Sequence, residues 1–178
     1  MYSEVLEFWF KELEPSQWWV KDSALDELIS QRFIDLHASA NRCELFEWRK
    51  TAEGRLAEII VLDQFSRNIF RGQAASFASD PLALALAQEA IALGADQAVS
   101  AVERSFLYLP FMHSESAEIH KVALALYTAN GVASNLDFER KHKAIIDEFG
   151  RYPHRNDVLG RTSTAAELEF LKQPGSSF

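Results

Sequence analysis

Five polar residues close the third helical segment of the chain: Asp63, Gln64, Arg67, Asn68 and Arg71, in LDQFSRNIFRG. At 100° per residue they share an arc of about 140°. Leu62, Phe65 and Ile69 fall on the opposite side. The first half of the segment, Leu56 to Leu62, is apolar nearly all round apart from Glu58, so it belongs inside a protein. The polar arc continues the line of the buried Leu56 and Ile60, and therefore points into the protein or a cleft. Such groups need partners there, because an unsatisfied buried polar group costs ~1–3 kcal/mol. Asp63 and Arg67 stand four apart and can pair. Arginine presents a planar fork of donors suited to a carboxylate or a phosphate. One reading is thus a closed structural network, and the other is a pocket for an anionic group.

Two further segments carry candidate chemistry. In FLYLPFMHSE, His113, Ser114 and Glu115 follow Pro110 at a helix junction. His113 or Glu115 could move a proton there; equally, the histidine could cap the helix end. Ser114, His113 and Asp63 are the residue types of a hydrolytic triad. No GxSxG elbow is present, however, and adjacent Ser and His rarely reach the needed geometry. The second segment, GRYPHRNDVLGRTST, gathers Arg151, His154, Arg155, Asn156 and Arg161 without periodicity. A stretch of this length in a compact domain is functional or mobile. Tyr152, Pro153, Val158 and Leu159 are anchors that favour order. The arginines either neutralise carboxylates such as Asp63, Asp80 or Glu115, or present a site for an anion. We expect this loop to fold over the third helix, bringing His154 or Arg155 near Asp63, Gln64 or Asn68. The arginines gathered there should outnumber their carboxylates. The candidate ligand-binding set is Asp63, Gln64, Arg67, Asn68, Arg71, His113, Ser114, Glu115, His154, Arg155, Asn156 and Arg161. His142, in ERKHKAIID, reads as solvated, and His37 and His120 show only helix positions.

The elements that must position these residues are helical throughout. Val5, Leu6, Trp9 and Phe10 stripe a first helix ahead of Pro15, and Ser23 is placed to cap a second. Asp80-Pro81 reads as a capped helix start, and Gly94, Asn130-Gly131 and Gly150 as stops. Ser100 with Glu103, and Thr164 with Glu167, are capping boxes. Pro110 should kink or end its helix. No segment alternates with period two. The expectation is an all-α fold of about eight helices packed as antiparallel α-hairpins, in a right-handed tetratricopeptide-like array. It should form one domain over residues 1–172, with a mobile tail from 173 to 178.

Composition narrows the function. The chain has 178 residues, enough for one full core, and 48% of them are hydrophobic. A net charge of −8 argues against nucleic acid and anionic membrane as main partners, and leaves a small anion or a peptide. The single cysteine, Cys43, fits a reducing cytoplasm. No basic leader or ~18-residue apolar run is seen. Without HExxH, a Cys pair, GxGxxG or a P-loop, neither a metal nor a nucleotide cofactor is expected. The sequence leaves the oligomeric state open.

LDQFSRNIFRG, SFASDPLAL, FLYLPFMHSE and FGRYPHRNDVLGRTSTAAELEFL, in that order, resemble the bacterial domain of unknown function family 924. The resemblance runs over most of the chain. It implies an all-α, tetratricopeptide-like fold and no activity. Ser66 stands where the family motif would carry proline, which implies a less kinked third helix here.

Overall fold

The computed structural model describes residues 1–177. It is built from α1 (Tyr2–Glu7), α2 (Ser23–Asn41), α3 (Ala52–Ile60), α4 (Ser66–Ile69), α5 (Asp80–Ala92), α6 (Ala101–Met112), α7 (Ala117–Asn130), α8 (Ala133–Phe149) and α9 (Ala165–Phe170). α3 and α4 are one continuous helix, joined by a π-helical turn at Val61–Phe65. A second π-helical turn, Phe8–Glu12, extends α1. With α3 and α4 counted as one, the described residues form eight helices, and no strand occurs among them.

Ser100 and Thr164 form the expected reciprocal capping boxes with Glu103 and Glu167. Two cap assignments shift by one residue. Asp22, not Ser23, caps α2, its carboxylate accepting from the amides of Ala24 and Leu25. Ser79, not Asp80, precedes α5, so Asp80 is the first helical residue and its carboxylate is available elsewhere. Pro110 lies inside α6, which ends two residues later at Met112. Gly150 takes a left-handed φ of 69° at the end of α8, a conformation only glycine adopts freely, and so opens the arginine-bearing loop.

The core forms around α3. Leu56, Ile59, Ile60, Leu62 and Phe65 have no exposed surface and meet Val5, Phe8, Trp9, Ile29, Phe33 and Phe106. Ring contacts tie the layers, with Phe33 4.8 Å from Phe65 and Trp9 5.7 Å from it. Each fully buried side chain of this kind contributes ~1.5–3 kcal/mol. Gly54 admits no other residue without rearrangement, since a Cβ there would sit 2.0 Å from the Trp48 carbonyl oxygen. α6, α7 and α8 then pack in series. A smaller cluster of Ile145, Ile146 and Tyr152, with Phe149 and Phe170 against it, seats the loop after α8. In the expected tail, Ser176 is buried and its hydroxyl donates to the Leu171 carbonyl. Phe178 lies outside the described residues.

Candidate functional site

The site begins with the π-helical turn. An α-helix made irregular at one turn re-aims its side chains, and such turns recur at functional positions. Asp63 and Gln64 sit in this turn, both buried. Ser66 follows, and its hydroxyl donates to the Leu62 carbonyl and lies 2.7 Å from His37 Nε2. The helix is thus irregular here even with serine in place of proline.

Asp63 is the hub. His113 Nδ1 lies 2.7 Å from its Oδ1, Gln64 Nε2 donates to its Oδ2, and the Arg67 guanidinium is 3.3 Å away. Burial by itself would raise the Asp63 carboxyl. Arg67, His113 and the Gln64 amide outweigh that and hold it below the usual carboxylate range. Burial, with Arg67 adding, pushes His113 down against the pull of Asp63. The pair is therefore a carboxylate and a neutral imidazole whose Nδ1–H donates. His113 Nε2 makes no hydrogen bond with the described residues, and it is not a buried atom lacking a partner, so it reaches solvent through the cleft that His113 lines.

The loop after α8 and this helix meet at Asp80 of α5, and Arg155 hydrogen-bonds there rather than at Asp63, Gln64 or Asn68. Arg155 donates to Asp80 Oδ2 at 3.4 Å and to the His113 carbonyl at 3.0 Å. Arg67 forks onto both Asp80 oxygens at 2.9 and 3.0 Å. Arg155 is buried, its guanidinium 4.4 Å from the Phe77 ring centre and 4.6 Å from that of Tyr152. Burial and the charge on Arg67 lower its pKa, and its Nε has no hydrogen-bond partner.

The expected excess of arginine over carboxylate is not found. Arg67 and Arg155 face Asp63 and Asp80. Asp26 of α2 accepts from Asn68 at 2.8 Å and from Arg71 at 2.5 and 2.6 Å. Arg151 pairs with Glu167, and Arg161 with Glu115 at 2.6 and 3.0 Å. Carboxylates reached from distant elements balance each arginine, which local sequence does not reveal.

These side chains bound a cleft of about 720 Å³. Gln64, Arg67, Asn68, Arg71, His113, His154 and Arg155 line it, as predicted residues. Ser114, Glu115, Asn156 and Arg161 do not. The Ser114 hydroxyl accepts from the Ser116 amide, so no Ser–His–Asp triad is formed. Glu115 accepts from the Tyr152 amide and from Arg161, is held below its ordinary pKa, and is spent on anchoring the loop. Asn156 is buried and bonds Ser163 and Arg161. Asp63 lies behind the cleft wall.

Sequence reasoning missed several participants. His142 is buried rather than solvated, lines the cleft, and is pushed down to about 3 chiefly by burial. Its helix reads as charged because the buried face of α8 includes Glu139 and His142 as well as Ile145 and Ile146. His120 is fully buried between Glu139 and the Ser114 carbonyl, and His37 is buried against Ser66. Phe77, Phe138, Leu109 and Met112 were missed as well, and they join Trp18, Trp19 and the anchor Val158 as the apolar lining of the cleft. Among the described residues, no group of three or more His, Cys, Asp or Glu is arranged to hold a metal ion, and no helix is long and apolar enough to cross a membrane.

The model of a family described as bacterial protein of unknown function (DUF924) matches residues 5–175. The chain belongs to the DUF924 family. This DUF924 chain is also similar to the solved structure of the protein of unknown function ATU0120 from Agrobacterium tumefaciens. The two share 43% identity over 96% of each chain, with a TM-score of 0.91. No curated protein matches it. Neither description assigns an activity, so function in this DUF924 protein has to be argued from the cleft.

Proposed function

We propose that the cleft binds a small molecule with an anionic head, a carboxylate or phosphate, and an apolar or aromatic body. One observation carries this reading. Lys21, Arg67, Arg71 and Arg155 line the cleft, and among the described residues no carboxylate side chain does, in a chain of net charge −8. The acids that balance these arginines stand behind or beside the wall. A concave surface presenting one sign of charge attracts the opposite one. The same cleft carries Trp18, Trp19, Phe77 and Phe138, with Phe77 against the arginines, and these rings suit a ring or branched chain.

The test is a titration of tryptophan fluorescence with phenyl phosphate, 2-naphthoate and the neutral 2-naphthylmethanol. The two anions should quench saturably, and added salt should weaken them. Lys21→Gln combined with Arg71→Gln should weaken them about tenfold, the ~1.4 kcal/mol of one charge-assisted contact. Equal binding of the neutral alcohol would overturn the reading.

A second reading has its own support. Trp19 and Phe138 are 56% and 47% exposed at the mouth of the cleft. Exposed aromatics at a groove suit a peptide, as on the concave faces of tetratricopeptide-like arrays. Tighter binding of acidic, aromatic-bearing peptides than of the small anions would favour it.

A further inference from the structure

We propose that the cleft is catalytic rather than only a receptacle, with His113 as its general base and Asp63 as the positioning residue that fixes the imidazole. This rests on the reading that an anionic ligand occupies the cleft.

The geometry carries the argument. Asp63 is 1% exposed and reaches His113 Nδ1 at 2.7 Å, so the ring is held by one edge. Its other edge, Nε2, has no partner among the described residues and opens to the cleft. A purely structural histidine in this protein looks different. His120 has both ring nitrogens engaged and no exposure. A carboxylate that binds Nδ1–H selects the tautomer whose lone pair lies on Nε2, and it stabilises the imidazolium that forms when a proton arrives. Asp63 is itself fixed by Gln64 and Arg67, so the pair is preorganised. Arg67 lies against Asp63 and Arg155 against the His113 carbonyl, and both line the cleft with His113, where they would hold the head of the ligand while its reactive X–H bond faces Nε2.

The step balances without a cofactor. The X–H bond of the bound acid, or of a water held beside it, breaks. Its electron pair stays on X. The Nε2 lone pair forms the new N–H bond, and the imidazolium charge is met by Asp63. Returning the proton to the product restores neutral His113. Nothing is oxidised or reduced. Among the described residues, the titratable and charged groups acting on the ring are Asp63, Arg67, Asp80, His142, His154 and Arg155.

Two measurements on the full chain test this. Long-range proton–nitrogen spectra of histidine-labelled wild type should show His113 at neutral pH with Nδ1 protonated and Nε2 bare. Diethylpyrocarbonate, mapped by peptide mass, should acylate His113 faster than His37 or His120. Asp63→Asn should slow His113 on the order of tenfold or more, while His142 and His154 keep their rates, which loss of fold would not do. An Nε2-protonated His113, or a His113 rate unchanged by the substitution, overturns the proposal. The tautomer measurement needs no variant, so it decides even if Asp63→Asn is unstable. Phenyl phosphate should protect His113. Reactivity as stated but without protection would sustain the base and sink the anion-binding reading beneath it.

Discussion

Arg67 and Arg155, 88 positions apart in the chain, grip the same carboxylate, Asp80. This one acid joins α4, the start of α5 and the loop after α8. It is also what allows two guanidinium groups to stand beside one another in a partly buried wall. Among the described residues, removing it leaves Arg67 with Asp63 as its ion-pair partner and Arg155 with none, Glu115 acting on Arg155 only at longer range.

Asp80→Ala should therefore cost ~3–5 kcal/mol in urea denaturation, as loss of one partner from a buried ion pair does. Arg155→Met should cost much less, because the aliphatic stem still fills the space between Phe77 and Tyr152. If the two variants lose equal stability, Asp80 is not the shared counter-ion.

Asp63→Ala should likewise cost ~3–5 kcal/mol, since it strands the His113 Nδ1–H and removes one of two anions from Arg67. Chemical denaturation measures it. A loss within ~0.5 kcal/mol would place the pair in effectively open solvent.

Acid should destabilise this protein well before its carboxylates protonate. Burial lowers His142 to about 3 and His154 to about 4, and it lowers His37 and His113 as well. In the unfolded chain a histidine titrates near ~6.5. Between those values the unfolded state binds more protons, so this stability is full above ~6.5 and declines as pH falls towards 4. His142 accounts for roughly 1.4 kcal/mol per pH unit inside that window, and the partly open His154 for less. Glu139, raised by burial, opposes the trend with a single group. His142→Phe should flatten the slope between pH 6.5 and 4.5. An unchanged slope would mean His142 carries no share of it.

Glu115→Gln should loosen the loop without touching the base of the cleft. It removes a paired Arg161 contact and weakens the bond to the Tyr152 amide, and should cost ~1–3 kcal/mol. Hydrogen exchange should speed up at Tyr152 and through Arg161 while α3 stays protected. Faster exchange in α3 as well would show that loop and helix open together.

Much of this was legible in the chain. The capping boxes at Ser100 and Thr164, the stop at Gly150 and the apolar run before Asp63 are local signals, and local physics acted on them. That the arginines of the loop and of the third helix come together was legible too, because polar groups on both had to be satisfied somewhere, although they meet through Asp80 rather than through Asp63, Gln64 or Asn68. The partners themselves were not. Asp26 looks like a helix-start residue, Asp80 like a cap, and His142 like one more charge in ERKHKAIID. Their roles depend on which elements lie opposite, at separations of 13 to 75 residues for the Asp80 and Asp26 contacts. Counting arginines in a segment likewise overstated the free charge, since Glu167 and Glu115 answer Arg151 and Arg161.

The π-helical turn at Val61–Phe65 gives the helix one residue more than a regular spiral of the same length would hold. It works as a phase change: Leu56 to Ile60 wind on one setting, and Arg67, Asn68 and Arg71 on another. A single deletion within 61–65 could restore an unbroken α-helix, and regular winding would be locally easier. It would also rotate everything beyond by about 100°, carrying Arg67 away from Asp80 and Asn68 away from Asp26. The surplus residue thus sets the angle between the half of the helix that holds the protein together and the half that faces the cleft. Shortened versions of this segment should fold and yet lack the wall.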